Sequence, residues 1–252
     1  MLLYTYGENL IVERARGWLR MKLRKLVVAL LCVSIAFCLA GCGSEAKKSM
    51  DTAVKSANEL LDKNQKAYDM STKTALKQAV KDSENADSDA EYKKSAKQIN
   101  SDIKAYEDSI KQLKQVTKPS EDFLLEKAKA VDTVTDAEAA TEETDENKMM
   151  NKKGGYYAYI AMKSSLVTDP YYTSQSPVQA GTEGGAVIEA YKTEKDAKAR
   201  DEYLSTFDSS GMLNPGSHKV VGTLVIRTAS SLTASQQQQL EQSVIDKLIE
   251  LK

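Results

Sequence analysis

Residues 154–163 read Gly-Gly-Tyr-Tyr-Ala-Tyr-Ile-Ala-Met-Lys, and their reading decides the class of fold. Two glycines mark a turn, and the residues after them alternate with the period of two that sends successive side chains to opposite faces of a β-strand. The pattern predicts a strand over Tyr156 to Lys163, and the same alternation returns at Ala186 to Tyr191 and Lys219 to Arg227. Between the last two, Thr193 opens a helix with Ala197, Arg200, Leu204 and Phe207 in series. Thr233-Ala-Ser-Gln236 is a capping signature for a final helix, whose buried side carries Leu240, Val244, Ile245, Leu248, Ile249 and Leu251. A short helix capped by Ser120, Glu121 to Val131, precedes all of this, and an acidic run spans Asp136 to Glu146. Strands joined through a helix should lie parallel by a right-handed crossover. Residues 119–252 are therefore expected to form an α+β domain, a small three-stranded sheet with helices packed on one face.

Upstream the texture is different. From Gly43 to Thr117 the chain is rich in Lys, Ala and Ser, and between Ser44 and Thr117 it has neither Pro nor Gly. Apolar residues recur at Met50, Val54, Ala57, Leu61 and Tyr68, then at Leu76, Ala79 and Val80. They recur again at Tyr92, Ala96, Ile99, Ile103, Tyr106, Ile110 and Leu113, in steps of four and three, the seam of a packed helix. Residues 42–118 are predicted to be a three-helix bundle or coiled coil, with helices near Glu45 to Tyr68, Thr72 to Glu84 and Asp89 to Val116.

The N-terminus carries an address. Met21-Lys-Leu-Arg-Lys25 is a basic segment, Leu26 to Ala40 an apolar run, and Leu39-Ala40-Gly41-Cys42 closes it. Residues 21–41 read as a cleaved signal peptide, because the apolar run is too short for an ordinary spanning helix. The tetrad resembles the bacterial lipoprotein signal of Firmicutes type. That resemblance implies diacylglyceryl modification of Cys42, with palmitate or a similar chain, and attachment to the outer face of the cytoplasmic membrane as in Gram-positive cells. Residues 1–20 precede a complete signal, so translation is expected to begin at Met21. Removing residues 1–41 takes away six basic and two acidic groups and leaves 29 Lys and Arg against 34 Asp and Glu. Only Arg200 and Arg227 remain as arginines. A mildly acidic surface with so little arginine argues against nucleic acid as a partner.

Two further resemblances follow from local motifs. Thr74-Ala-Leu-Lys-Gln-Ala-Val80 with Tyr92-Lys-Lys-Ser-Ala96 and Ile99 to Ile110 resembles the FIVAR helical modules of Gram-positive surface proteins, some of which bind host or wall glycans. A single copy implies a spacer rather than an adhesive rod. Gly154-Gly-Tyr156, Ile188-Glu-Ala-Tyr191, Gly216-Ser-His218, Arg227-Thr228 and Leu232 to Gln237 resemble a C-terminal module of Firmicutes lipoproteins that has no established activity.

Chemistry is sparse. His218 is the one histidine and stands beside a turn, no Gly-x-Ser-x-Gly elbow accompanies it, and Cys42 is the only thiol left after cleavage. No Walker loop, Cys-x-x-Cys or His-x-x-x-His is present, so no catalytic residue, metal or cofactor is expected. Glu142-Glu-Thr-Asp-Glu146 with Asn147 could offer oxygen ligands to calcium but lacks the spacing of a calcium loop, and a solvated linker is the favoured reading. If Tyr156, Ala158, Ile160, Met162, Ile188, Val220, Leu224 and Ile226 face the helices, the opposite face carries Tyr157, Tyr159, Glu189, Tyr191, Thr223 and Arg227. Aromatic bodies with polar tips suit recognition of sugars or peptides. The alternative is that the Glu121 to Val131 helix or the helical bundle covers this face, with Glu189 and Arg227 as a paired structural contact. The expected function is a membrane-anchored, non-catalytic binding module whose partner is cell-wall glycan, host matrix or an envelope protein. A hydrolase of wall polymer using a carboxylate pair such as Glu183 and Glu189, or an accessory solute-binding lipoprotein, are the alternatives.

Overall fold

The computed structural model describes residues 44–211 and 214–251. The N-terminal tail 1–20, the signal segment 21–41 and Cys42 lie outside the described residues. Ser44 caps α1 (Glu45–Asp62), its hydroxyl accepting the Lys47 amide at 3.2 Å. This helix stops six residues short of Tyr68, because Asn64, just past its C-cap, turns left-handed at φ +46°, a conformation Asn tolerates better than most residues. Helices α2 (Ser71–Ser83) and α3 (Asp89–Gln115) follow, and α1 and α2 both lie along α3. Ala57, Leu76, Ile99 and Tyr106 are fully buried where they meet. The Tyr106 hydroxyl donates to the Gln65 carbonyl at 2.7 Å and fixes the α1–α2 connection on α3.

The rest is α4 (Glu121–Lys129), β1 (Val134–Ala139), β2 (Ala158–Ser164), α5 (Pro170–Thr173), α6 (Pro177–Ala180), a 3-10 turn at Gly181–Gly184, β3 (Gly185–Ala190), α7 (Glu194–Ser205), β4 (His218–Val221), β5 (Leu224–Thr228) and α8 (Ala234–Ile249). The fold is mixed α and β. Its sheet has five strands in the order β1-β2-β3-β5-β4, and every neighbouring pair is antiparallel.

Several sequence expectations are corrected by this topology. Five strands replace three. Lys219 to Arg227 is two strands, because Gly222 at φ +62° lets the chain reverse in the two residues Gly222-Thr223 between Val221 and Leu224. The strand β1 lies at the start of the acidic run; it is an edge strand that buries Ala137 while Asp136 and Glu138 stay outside, a pattern the period-two reading passed over. The crossover through α7 joins strands of like direction, β3 and β4, yet β5 returns between them, so no parallel pair forms.

Helices also cover both faces of the sheet. On one face, Ile160, Ile188 and Ile226 stand in register across three strands and pack with Leu124 and Ala128 of α4 and Leu240, Val244 and Leu248 of α8. The other face packs against Val178 of α6, Ala197 and Leu204 of α7, and the loop around Met150. Two residues assigned to the helix-facing set sit on this second face. Tyr156 lies there because its carbonyl accepts the Asn151 amide at 2.8 Å, which shifts the phase of the chain before β2 begins. Val220 lies there because the hairpin sets it opposite Val225.

The two regions are joined tightly. The Val116 carbonyl at the end of α3 accepts the Thr223 amide at 3.1 Å, and the Lys118 amide donates to Thr223 Oγ1 at 2.8 Å. A Cβ at Gly222 would stand 2.4 Å from the Val116 oxygen, so the approach requires glycine. Gln115 donates to the Leu248 and Glu250 carbonyls at 2.7 and 3.1 Å. From Ser44 onward the chain is one compact unit. Among the described residues no helix is long and apolar enough to cross a membrane.

Candidate functional site

Glu189 is the penultimate residue of the central strand β3 and is fully buried. Strand geometry brings it three partners. Tyr191 is two residues on and shares its face, Arg227 on β5 is opposite Val187 and so lies diagonally across, and Arg200 comes from the turn of α7 between the buried Ala197 and Leu204. Arg200 donates Nε to Oε2 at 2.9 Å and Nη2 to Oε1 at 3.0 Å, a bidentate contact. Arg227 Nη1 adds a third bond to Oε1 at 3.0 Å and the Tyr191 hydroxyl a fourth to Oε2 at 2.7 Å. Burial pushes the Glu189 carboxyl up, but the bonds and charge of Arg200, with Arg227 and Tyr191, outweigh it and hold the group below the usual carboxylate range. Held as an anion near neutral pH with its acceptor sites filled, Glu189 is unsuited to the work of a general acid.

The expected tyrosine surface is an interior. Tyr159, Tyr191 and Glu189 are buried together with Tyr156, whose ring lies 5.3 Å from that of Tyr159 and 6.1 Å from that of Tyr191. Their cover is α6, α7 and the loop 140–156, not the Glu121–Lys129 helix. Tyr157 leaves this set, packing toward the other core with its hydroxyl on the Pro119 carbonyl at 2.5 Å. Thr223 serves the junction with α3. Of the six residues assigned to the face, the structure unites Tyr159, Glu189, Tyr191 and Arg227.

The acidic run is a folded loop rather than a linker. Asp145 is 2% exposed and accepts the amides of Asn147, Met149 and Met150 at 3.1, 2.8 and 2.8 Å and the Tyr156 hydroxyl at 2.5 Å. Burial works against its charge, and these four donors prevail and lower its pKa. The carboxylate organises the loop that roofs the tyrosines.

What remains open is a cleft beside this interior. Two adjoining hollows, of about 270 and 710 Å³, share Asn147, Glu183 and Arg227 in their walls. Arg227 bonds Glu189 through Nη1, while its buried Nε has no partner. Glu183, on the 3-10 turn ahead of β3, accepts from the Ser230 amide and hydroxyl at 3.2 and 3.1 Å. The larger hollow is flanked by Tyr203 and Phe207, whose rings meet edge to face at 5.2 Å, with the Arg200 guanidinium 5.5 Å from the Tyr203 ring centre. No protein family, curated protein or solved structure matches this chain. The cleft is therefore read from its own chemistry.

Sequence reasoning weighed Asn147 only as a calcium ligand beside the acidic run and Glu183 only as a catalytic acid, and it gave Tyr203 no role of its own. The spacing of Arg200, Tyr203 and Phe207 places them on one helical stripe, a signal that was legible but merged with the core series of α7. The glycine pair at 184–185 marks a close approach, since a Cβ on Gly184 would stand 2.8 Å from the Ala180 Cβ. His218 opens β4, with Nδ1 2.7 Å from Asp201 Oδ1 and Nε2 3.0 Å from Asp208 Oδ1, and so ties the edge strand to α7.

Proposed function

We propose that this chain is a lipid-anchored, non-catalytic binding protein on the outer face of the cytoplasmic membrane, of the Gram-positive type. The observation that carries the reading is the Leu39-Ala40-Gly41-Cys42 tetrad behind a basic and then apolar segment. Two acyl chains on Cys42, at about 0.8 kcal/mol per buried methylene, hold a protein on a bilayer where one chain would not. Ser44, two residues further on in the sequence, already caps the first helix of the folded body. The three-helix bundle of residues 42–118 is the spacer, and the region from Pro119 faces outward toward wall glycan, host matrix or an envelope protein.

The saturated, charged state of Glu189 favours binding over hydrolysis, since it removes Glu189 from the Glu183 and Glu189 pair as a proton donor. Growth of the producing cells with an alkyne-tagged palmitate tests the anchor. The protein is expected to take up the tag, and Cys42→Ala to abolish uptake and release the chain from membranes. Tag on the Cys42→Ala protein, or none on the parent, would contradict the reading. Pelleting of the detergent-extracted protein with purified wall sacculi tests the binding half separately.

A further inference from the structure

We propose that the paired hollows at Arg227 form a saccharide-binding groove, in which Glu183, Asn147 and Arg227 read hydroxyls and Tyr203 is the platform for a sugar ring. The inference rests on the reading of the chain as a binding protein and adds the site and the ligand class. Arg227 lines both hollows, and its Nη1 bond to Glu189 holds the guanidinium beside them. Glu183 stands at the junction of the hollows, and two bonds from Ser230 fix its carboxylate while leaving acceptor capacity, because an ionised carboxylate offers about four lone-pair sites.

Charge narrows the ligand. Arg200 and Arg227 share the wall of the larger hollow with Glu183 and Asp169, and Glu189 lies behind the two arginines. A free anion meets the carboxylates and a free cation meets the guanidiniums. A hydroxyl donates and accepts at once, so neighbouring hydroxyls satisfy Glu183 and Arg227 together without net charge. Tyr203 is 55% exposed yet held by Phe207 at its edge and Arg200 near its ring, a prepositioned aromatic surface suited to the apolar face of a pyranose.

Titration calorimetry on the full-length protein in detergent provides the test, with two neutral tetrasaccharides, tetra-N-acetylchitotetraose and maltotetraose, and with trialanine and tetragalacturonate as zwitterionic and anionic probes. Saturable binding of at least one neutral tetrasaccharide is expected. Tyr203→Ala and Glu183→Gln should each weaken it tenfold or more, with thermal melting showing that both variants remain folded. Met70→Ala, at an exposed site among the helices, should leave it unchanged. No binding of either neutral sugar, tighter binding of trialanine or tetragalacturonate, or binding indifferent to both substitutions would overturn the proposal. Sacculus pelleting and palmitate uptake at Cys42 are independent of this titration. Loss of sugar binding with pelleting and uptake intact sinks the groove alone, whereas absent uptake sinks the anchored reading.

Discussion

Arg200 meets Glu189 edge-on, Nε at 2.9 Å from one carboxylate oxygen and Nη2 at 3.0 Å from the other, and so binds α7 to the central strand of the sheet. The pair is nearly dry: the Arg200 side chain is 10% exposed and that of Glu189 not at all. Such a pair is costly to bury, and removing one partner costs more, because the other charge is stranded. Glu189→Gln leaves two guanidiniums facing a neutral amide and is expected to lose about 3–5 kcal/mol. Urea unfolding followed by circular dichroism measures it; a loss below about 1 kcal/mol, the value of a surface pair, would contradict this account of the second core.

The same groups set the dependence on pH. Glu189 and Asp145 are held below their ordinary range in the folded protein, so their contribution is complete above about pH 4–5 and is lost as pH falls through the folded values. The buried tyrosines act in the opposite sense. Burial pushes the Tyr157 hydroxyl up to about 12, and burial raises Tyr156, Tyr159 and Tyr191 as well, aided by Asp145 at the first and Glu189 at the other two. The unfolded chain ionises near pH 10, so stability present below that value is lost as pH rises beyond it. The urea midpoint should form a plateau between about pH 5 and 9 and fall on both sides. A midpoint still level at pH 11 would place these hydroxyls in solvent.

The junction with the helices is expected to be as sensitive as a core position. Gly222→Ala requires a left-handed alanine, roughly 1–2 kcal/mol in itself, and sets its methyl against the Val116 carbonyl. Thr223→Val strands the Lys118 amide, at about 1–3 kcal/mol. Both variants should lower the melting temperature of the whole unit in a single transition. Two separate transitions would show that the helices and the sheet unfold independently.

Asp145→Ala should open the roof of the tyrosine interior. Three backbone amides and the Tyr156 hydroxyl lose their acceptor, each worth about 1–3 kcal/mol if left unpaired. Amide exchange at Met149 and Met150 should quicken, with little change at Ile160 or Ile188. Unchanged exchange at Met149 would show the loop to be held by other contacts.

Local signals were the legible part of this fold. Ser120, Thr193 and Thr233 were marked as helix starts by chemistry confined to four residues, and each accepts an amide three residues on. The second face was visible as an alternation, but its cover was not. The helix α7 is held by Ala197, Leu204 and the contact of Arg200 with Glu189, eleven residues away in sequence, and no pattern within either element announces that contact. The split of Lys219 to Arg227 hinged on one left-handed glycine inside an apolar run, and a strand pattern reads straight through it. The cleft escaped for a related reason, since Asn147, Glu183 and Arg227 are brought together by a loop, a 3-10 turn and a strand.

The central claim, that Cys42 anchors the protein to a membrane, is tested most directly by mass spectrometry of the N-terminal tryptic peptide of the protein taken from cell membranes. The account expects Cys42-Gly-Ser-Glu-Ala-Lys47 carrying a diacylglyceryl group on its sulfur, with nothing preceding it. A membrane-derived peptide that runs continuously from the Leu26 to Ala40 segment into Lys47, with an unmodified thiol at Cys42, would contradict it.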